Sequence, residues 1–292
     1  MLKATHTLSN LEKHQMQQIL NQYSANQDLL EETLRVIEEE KDYVMEPYYL
    51  YYQEGQVTGF VLIEYVIDEL LQAKIYVEQQ VQMDMVLRQL KSYLRLSKIE
   101  TALFCMEEEL DLEVVQNLTL SSCEYQMECE YHDFLNWAAI HQPSKATLRW
   151  LTLEDETFYK NTLETTFFME FQEREERFLS IIEDLDKIKG GVLTKDSGMA
   201  GAILETVDGV KIGIGGCYIG NRCITLFDLA VLENYQGLGY GKELLSSMFE
   251  KTRHLKKNYL LQVSSESKKA AALYQSIGFK IQEQLYCYKM LV

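Results

Sequence analysis

Apolar positions along the chain recur with two periods, and the period predicts the element. Alternating or continuous apolar runs mark strands at Ala146–Leu151, Gly191–Lys195, Ala200–Thr206, Lys211–Tyr218, Thr225–Val231, Tyr259–Val263 and Lys280–Met290. Helical spacing runs through Thr157–Phe168 and Phe171–Leu185, where Phe167, Phe168, Phe171, Phe178, Ile181 and Ile182 are apolar contacts. It returns from Lys242 onward, with Leu244, Leu245, Met248 and Phe249 on one face, and in Ser267–Ile277. The first half repeats the order. Lys3–Leu8, Tyr48–Gln53, Val57–Val66, Ala73–Val77, Ala102–Met106 and Cys123–Phe134 read as strands. Leu11–Tyr23, Gln27–Lys41, a stretch through Val81, Met85, Val86, Leu90, Tyr93 and Leu94, and Leu112–Leu118 read as helical. The expected fold class is α/β with a mixed sheet, as two tandem domains, residues 1–140 and 141–292. The join falls at His141-Gln142-Pro143-Ser144, which holds one of only two prolines in the chain.

One stretch is chemically distinctive. Along Thr225–Val231, period two places Thr225, Phe227, Leu229 and Val231 on one face and Leu226, Asp228 and Ala230 on the other. A turn at Glu233-Asn234-Tyr235 leads into Gln236-Gly237-Leu238-Gly239-Tyr240-Gly241, and a helix follows from Lys242. A strand, a glycine-rich turn and a helix start make an anion cradle. Glycine lets the backbone approach a ligand, and the first helical turn offers N–H groups and a positive dipole end. No Gly-Lys-Ser/Thr ends the loop, and its spacing is G-x-G-x-G, so neither a Walker A loop nor a dinucleotide fingerprint fits. The matching place in the first half, Glu78 to Asp84, has no glycine and two carboxylates. Backbone cannot come close to a phosphate there, so one anion site is expected, not two.

Charge sharpens this asymmetry. The net charge of −17 is concentrated in residues 1–140, which hold 9 Lys and Arg against 25 Asp and Glu, while residues 141–292 hold 19 against 20. The acidic half speaks against nucleic acid, which needs a basic face. It suits a cationic partner, or simply keeps the chain in solution. No apolar run approaches the ~20 residues of a membrane span, and no apolar segment of a leader follows Lys3. The six cysteines lack metal-ligand spacing and read as reduced, buried hydrophobes, so no metal and a cytoplasmic location are expected.

Gln236-x-x-Gly239-x-Gly241, preceded by Leu229-Ala230-Val231, resembles the (Gln/Arg)-x-x-Gly-x-(Gly/Ala) signature of the GCN5-related N-acetyltransferases. Ala270, Leu273, Tyr274, Gly278 and Phe279 are similar to that family's second motif, with Ser267 where the family has Asn. The doubled β-α-α-β-β-β-α-β-α-β order fits a tandem of such domains whose first copy has lost its cofactor loop. The resemblance implies acetyl-CoA as co-substrate. It would be held by Leu229, Ala230 and Val231, by Gln236, Gly237, Leu238, Gly239, Tyr240, Gly241 and Lys242, and by Ser267 and Lys269. Ser267 is expected to cap its helix through its hydroxyl. The resemblance also implies direct attack by a primary amine in a ternary complex, with Tyr274 protonating the departing thiolate. The base is open: Asp228 is the only carboxylate on the central strand, a hydrogen bond to a neighbouring strand is its other reading, and Glu205 is the runner-up. The acceptor is expected to be a cationic small molecule or peptide, and a homodimer stays open. Two other functions fit: a non-catalytic module of this fold that binds CoA or nothing, and a doubled transferase of the aminoacyl or cell-wall type, which would need a basic surface for charged tRNA.

Overall fold

The computed structural model describes residues 1–5, 7–21, 48–67, 70–106, 109–110, 118–141, 143, 145–169, 171–188 and 191–292. The chain divides into two compact units, Met1–Glu124 with Glu283–Val292, and Tyr125–Gln282.

The first unit runs β1 (Leu2–Thr5), α1 (Asn10–Leu20), β2 (Tyr48–Gln53), β3 (Gln56–Ile67), β4 (Leu70–Val77), α2 (Gln80–Leu96) and β5 (Thr101–Met106). Its strand order is β1-β2-β3-β4-β5, followed by the end of the last strand of the chain. Among the described residues of this unit, only β4 and β5 pair in parallel, over Leu70–Ala73 and Thr101–Phe104. Both faces of this sheet are apolar, and period two sorts them. Tyr49, Tyr51, Val61, Ile75 and Val77 share a core with Met83, Val86, Leu90 and Leu94 of α2. Tyr48, Leu50, Phe60 and Leu62 pack with Met16 and Ile19 of α1.

The chain continues through β6 (Thr119–Cys129), α3 (Tyr131–Ile140), β7 (Ala146–Trp150), α4 (Glu156–Phe167), α5 (Phe171–Glu183), β8 (Met199–Thr206), β9 (Lys211–Ile219), β10 (Cys223–Val231), α6 (Tyr240–Thr252), β11 (Asn258–Ser264), α7 (Lys268–Ile277) and β12 (Lys280–Leu291). The second unit orders its strands β6-β11-β10-β9-β8-β7. Here β10 and β11 are the parallel pair, over Cys223–Leu226 and Asn258–Leu261. One face carries α3, α6 and α7, packing Phe134, Leu245, Phe249, Tyr274 and Phe279 against Ala202, Leu226 and Leu261. The other carries α4 and α5, packing Tyr159, Leu163, Phe178 and Ile181 against Ile203, Ile214 and Ala230. The result is the mixed α/β class expected.

Several local expectations change. The strand read over Cys123–Phe134 ends at Cys129, and α3 follows, because Phe134, Trp137 and Ala138 stand at helical spacing and bury together in the second unit's core. Gly191–Lys195 forms no strand, only an isolated bridge at Val192. The helix read over Gln27–Lys41 lies outside the described residues, as does most of Leu112–Leu118. The compact units also follow limits other than 140/141. His141 lies inside the second unit, and residues from Glu283 belong to the first. There Tyr288 and Met290 are buried with Phe104 and Leu90, and β12 pairs antiparallel with β5 from Tyr286 to Leu291.

The central strand β10 is not regular. Its register against β9 shifts between Phe227 and Ala230, and Asp228 sits in the left-handed region at φ 51°. A bulge of this kind adds one residue and reverses the facing beyond it. Leu226, Leu229 and Val231 therefore share the face packed with α6 and α7, while Phe227 and Ala230 face α4 and α5. The two faces read from strict alternation are corrected by this single extra residue.

Candidate active site

Beyond Leu226 and Leu261 the parallel pair loses its register, and a cleft of about 540 Å³ opens. Leu229 and Val231 line one side. Ala270, Leu273 and Tyr274 of α7 line another, with Leu244 and Leu245 of α6 among its apolar walls. The mouth is formed by Gln236, Gly237, Gly239, Gly241, Lys242 and Lys269. The fold thus brings the two sequence motifs to one cavity. Of the expected contact residues, Ala230 faces α4 and α5 instead, and Leu238, Tyr240 and Ser267 do not line it. Ser267 makes no side-chain cap bond; α7 starts on the Ser267 carbonyl, which accepts from Ala271 N at 3.0 Å.

The loop geometry follows from its glycines. Gly237 and Gly239 have φ of 75° and 92°, the region a side chain avoids. A Cβ at Gly237 would meet nothing within 4 Å, and one at Gly239 would meet only Lys145 Nζ at 3.7 Å, so the loop's outer side is open to a ligand. No side chain caps α6. The Gln236 side-chain amide donates to Val231 O at 2.9 Å and ties the loop to the strand end. Leu232 N donates to Ile212 O of β9 at 2.8 Å. Successive N–H groups in a strand point to opposite edges, so the Val231 N–H points away from β9, into the opening where β11 has departed. An open glycine loop, an uncapped helix start and two lysines fit the phosphates of a CoA ester, and the apolar depth fits its pantetheine arm.

Tyr274 is buried at the cleft wall, and burial pushes its hydroxyl up to about 12. It is therefore a neutral O–H donor at physiological pH.

Asp228 takes a different position. Its carboxylate is buried at the bulge, on the side of α4 and α5. Tyr159 Oη donates to Oδ2 at 2.8 Å, and Arg177 Nε lies 3.9 Å from the same oxygen. The Arg177 guanidinium also sits over the Phe227 ring, 5.1 Å from its centroid. Burial raises the Asp228 pKa above the usual carboxylate range, with Arg177 and the Tyr159 hydrogen bond pulling back.

Glu205 is engaged elsewhere. Its Oε1 accepts from Arg149 Nε at 3.0 Å and Nη2 at 2.8 Å. Arg149 and Lys211 also pair with the buried Asp155, whose carboxyl they hold well below its ordinary value against the opposing effect of burial. This network joins β7, β8 and β9 and contributes no wall to the cleft. One cation beside the glycine loop, outside the cleft's own lining, went unseen in the sequence. Lys145 Nζ donates to Leu238 O at 3.3 Å, from a residue 93 positions away. Among the described residues there is no group of His, Cys, Asp and Glu fit to hold a metal ion, and no helix long and apolar enough to cross a membrane.

Residues 145–279 match the family model described as "Acetyltransferase (GNAT) family". No curated protein matches the chain. Among solved structures, the chain is similar to a GCN5-related N-acetyltransferase from Sphaerobacter thermophilus, with 14% identity, 100% of this chain and 95% of that one covered, and a TM-score of 0.67. It is also similar to a tandem GNAT protein from the clavulanic acid biosynthesis pathway, solved without AcCoA, with 12% identity, coverage of 100% and 98%, and a TM-score of 0.60. A functionally unknown conserved protein from Staphylococcus epidermidis ATCC 12228 aligns at 13% identity over 76% of this chain and 84% of that one, with a TM-score of 0.57. At these identities the likeness is one of fold: two tandem GNAT-like domains.

Proposed function

We propose, from the premise that residues 145–279 form a domain of the acetyltransferase (GNAT) family, that the chain transfers the acetyl group of acetyl-CoA to an amine by direct attack in a ternary complex. The observation that carries this reading is the convergence, on one cleft, of an open glycine loop, an apolar channel and a buried tyrosine hydroxyl.

Each residue has a definite task. The loop from Gln236 to Gly241, with Lys242 and Lys269, holds the pyrophosphate. Leu229, Leu244, Leu245 and Leu273 exclude water from the pantetheine arm. The Val231 N–H donates to the thioester oxygen, where negative charge develops. Tyr274 supplies its proton to the departing sulfur, so the C–S bond breaks to a thiol rather than a thiolate. Asp228, buried at the bulge of the same strand on the side of α4 and α5 and outside the cleft wall, accepts the proton of the attacking amine through water in this reading. Glu205, held by Arg149, takes no part in proton transfer in this reading. The acidity of residues 1–140 favours a cationic acceptor, a small amine or a basic peptide. The first unit, lacking a loop, holds no second acetyl-CoA.

The test is acetyl-CoA-dependent thiol release across a panel of polyamines, aminoglycosides and basic peptides, beside calorimetric titration with CoA. Turnover that rises with amine concentration supports transfer. CoA binding without turnover on any amine would instead make the chain a binding module.

A further inference from the structure

Lysines of the second unit fall into two groups. Lys160, Lys187, Lys211 and Lys280 each pair with a carboxylate. Lys145, beside the cleft mouth, has no carboxylate within ion-pair distance among the described residues. Its backbone N–H donates to Glu243 Oε2 at 3.2 Å, which fixes the start of β7 against the first turn of α6. Its ammonium then lies against the loop, with one N–H given to Leu238 O at 3.3 Å. An ammonium has three donors, and this carbonyl takes one. The nearest atom to a Cβ placed on Gly239 is the same Nζ, at 3.7 Å. The cation thus stands over the part of the loop whose backbone is bare, on the open side. It comes from outside the strand-loop-helix segment, so neither motif contains it.

We propose that Lys145 is a phosphate ligand of the cleft, which clamps the pyrophosphate of CoA from the β7 side while the loop holds it from below. This rests on the acetyl-CoA reading above. The pyrophosphate is the group that meets Gly237 and Gly239, and an ammonium at their open side supplies a point charge that backbone N–H groups lack. The contact to Leu238 O holds the side chain in place before the ligand arrives.

The experiment compares wild type with Lys145→Ala, Lys145→Gln and Lys145→Arg, titrating each with CoA, dephospho-CoA and pantetheine. Thermal melts without ligand control for folding. The expected result is that Lys145→Ala binds CoA and dephospho-CoA about tenfold more weakly, the scale of one charge-assisted contact, with pantetheine unchanged. Lys145→Arg should retain most of the affinity. Lys145→Gln, which keeps a donor for Leu238 O but no charge, should behave as Lys145→Ala. Recovery with Gln would assign the residue to bracing the loop and overturn the proposal. Loss for CoA but not for dephospho-CoA would place the contact on the 3′-phosphate and overturn it as well. If wild type binds CoA and Lys145→Ala binds it equally, the Lys145 proposal alone falls. If wild type binds none of the three, the acetyl-CoA reading falls with it.

Discussion

The two units contain the same arrangement, a parallel strand pair whose first strand leads into a helix, and they differ in the connection. In the second unit eight residues, 232–239, separate β10 from α6, and two of them are glycines at positive φ. In the first unit two residues, Glu78 and Gln79, separate β4 from α2. There is no chain to form a cradle, and the start of α2 is self-contained: Gln79 N donates to Gln82 Oε1 at 3.3 Å, and Gln82 is buried. The surroundings differ in the same direction. Leu110 and Leu118 are buried in the cluster that holds Val77, Met83 and Met106, and Leu110 N donates to Tyr288 Oη at 2.7 Å. In the second unit, by contrast, the space beyond the last paired residues is the cleft. The same layers therefore close over packed side chains in one unit and leave an open cleft in the other, and the length and glycine content of one connection account for the difference.

The largest effect should come from Tyr274. Tyr274→Phe keeps the ring and removes the acid, so kcat should fall by about a hundredfold or more with little change in the KM for acetyl-CoA. If, as proposed, one site serves the whole chain, the loss should apply to all of the activity, and calorimetry should count one CoA per chain. A variant keeping half its rate, or a stoichiometry of two, would break the comparison.

Next comes Asp228→Asn, with about a tenfold to hundredfold drop in kcat/KM. The sign of the pH dependence follows from burial. The active form is the carboxylate, and its pKa is raised, so kcat/KM of the wild type should fall as pH drops through a value above the ordinary ~3.9 of aspartate. The Asn variant should lose that acidic limb; a limb retained unchanged would remove Asp228 from the role.

Gly239→Val tests the cradle itself. At φ 92° a β-branched side chain is strained, and the loop must shift to relieve it. CoA affinity should fall about tenfold, measured by titration, while Gly239→Asn, better tolerated near the left-handed region, should lose less. Equal binding by all three would show that the loop conformation is not what binds the ligand.

How much of this the sequence could show depends on the range over which each feature is determined. The loop was legible because glycine is needed where φ is positive, and Gly239 and Gly278 stand where the chain turns into and out of helices. Tyr274 was legible from the spacing of its motif. The bulge at Asp228 was not, since no glycine marks it and an aspartate in the left-handed region leaves no periodic trace. Its consequence, the reversed facing of Leu229 and Ala230, went with it. Helix α3 was overlooked because its face rests on three residues, Phe134, Trp137 and Ala138, directly after an alternating strand. Lys145, and the place of Glu283–Val292 in the first unit, depend on contacts far apart in sequence, where local pattern has nothing to say.

The smallest expected effect is the most discriminating for the first unit. Glu78 lies exposed just ahead of α2, and its backbone N–H donates to Thr58 O at 3.0 Å. If charge alone had abolished binding there, Glu78→Lys would replace a repelling carboxylate with an attracting ammonium at a helix start. If the missing connection is the cause, the substitution gains nothing, because two residues cannot offer the open backbone that Gly237 and Gly239 present. The expected outcome is one CoA per chain and a transfer rate within about twofold of wild type. Stability should fall by roughly 0.3–1 kcal/mol, from losing an acid near the helix N-terminus. A second binding event in calorimetry would show that electrostatics, not chain length, closed the first unit to CoA.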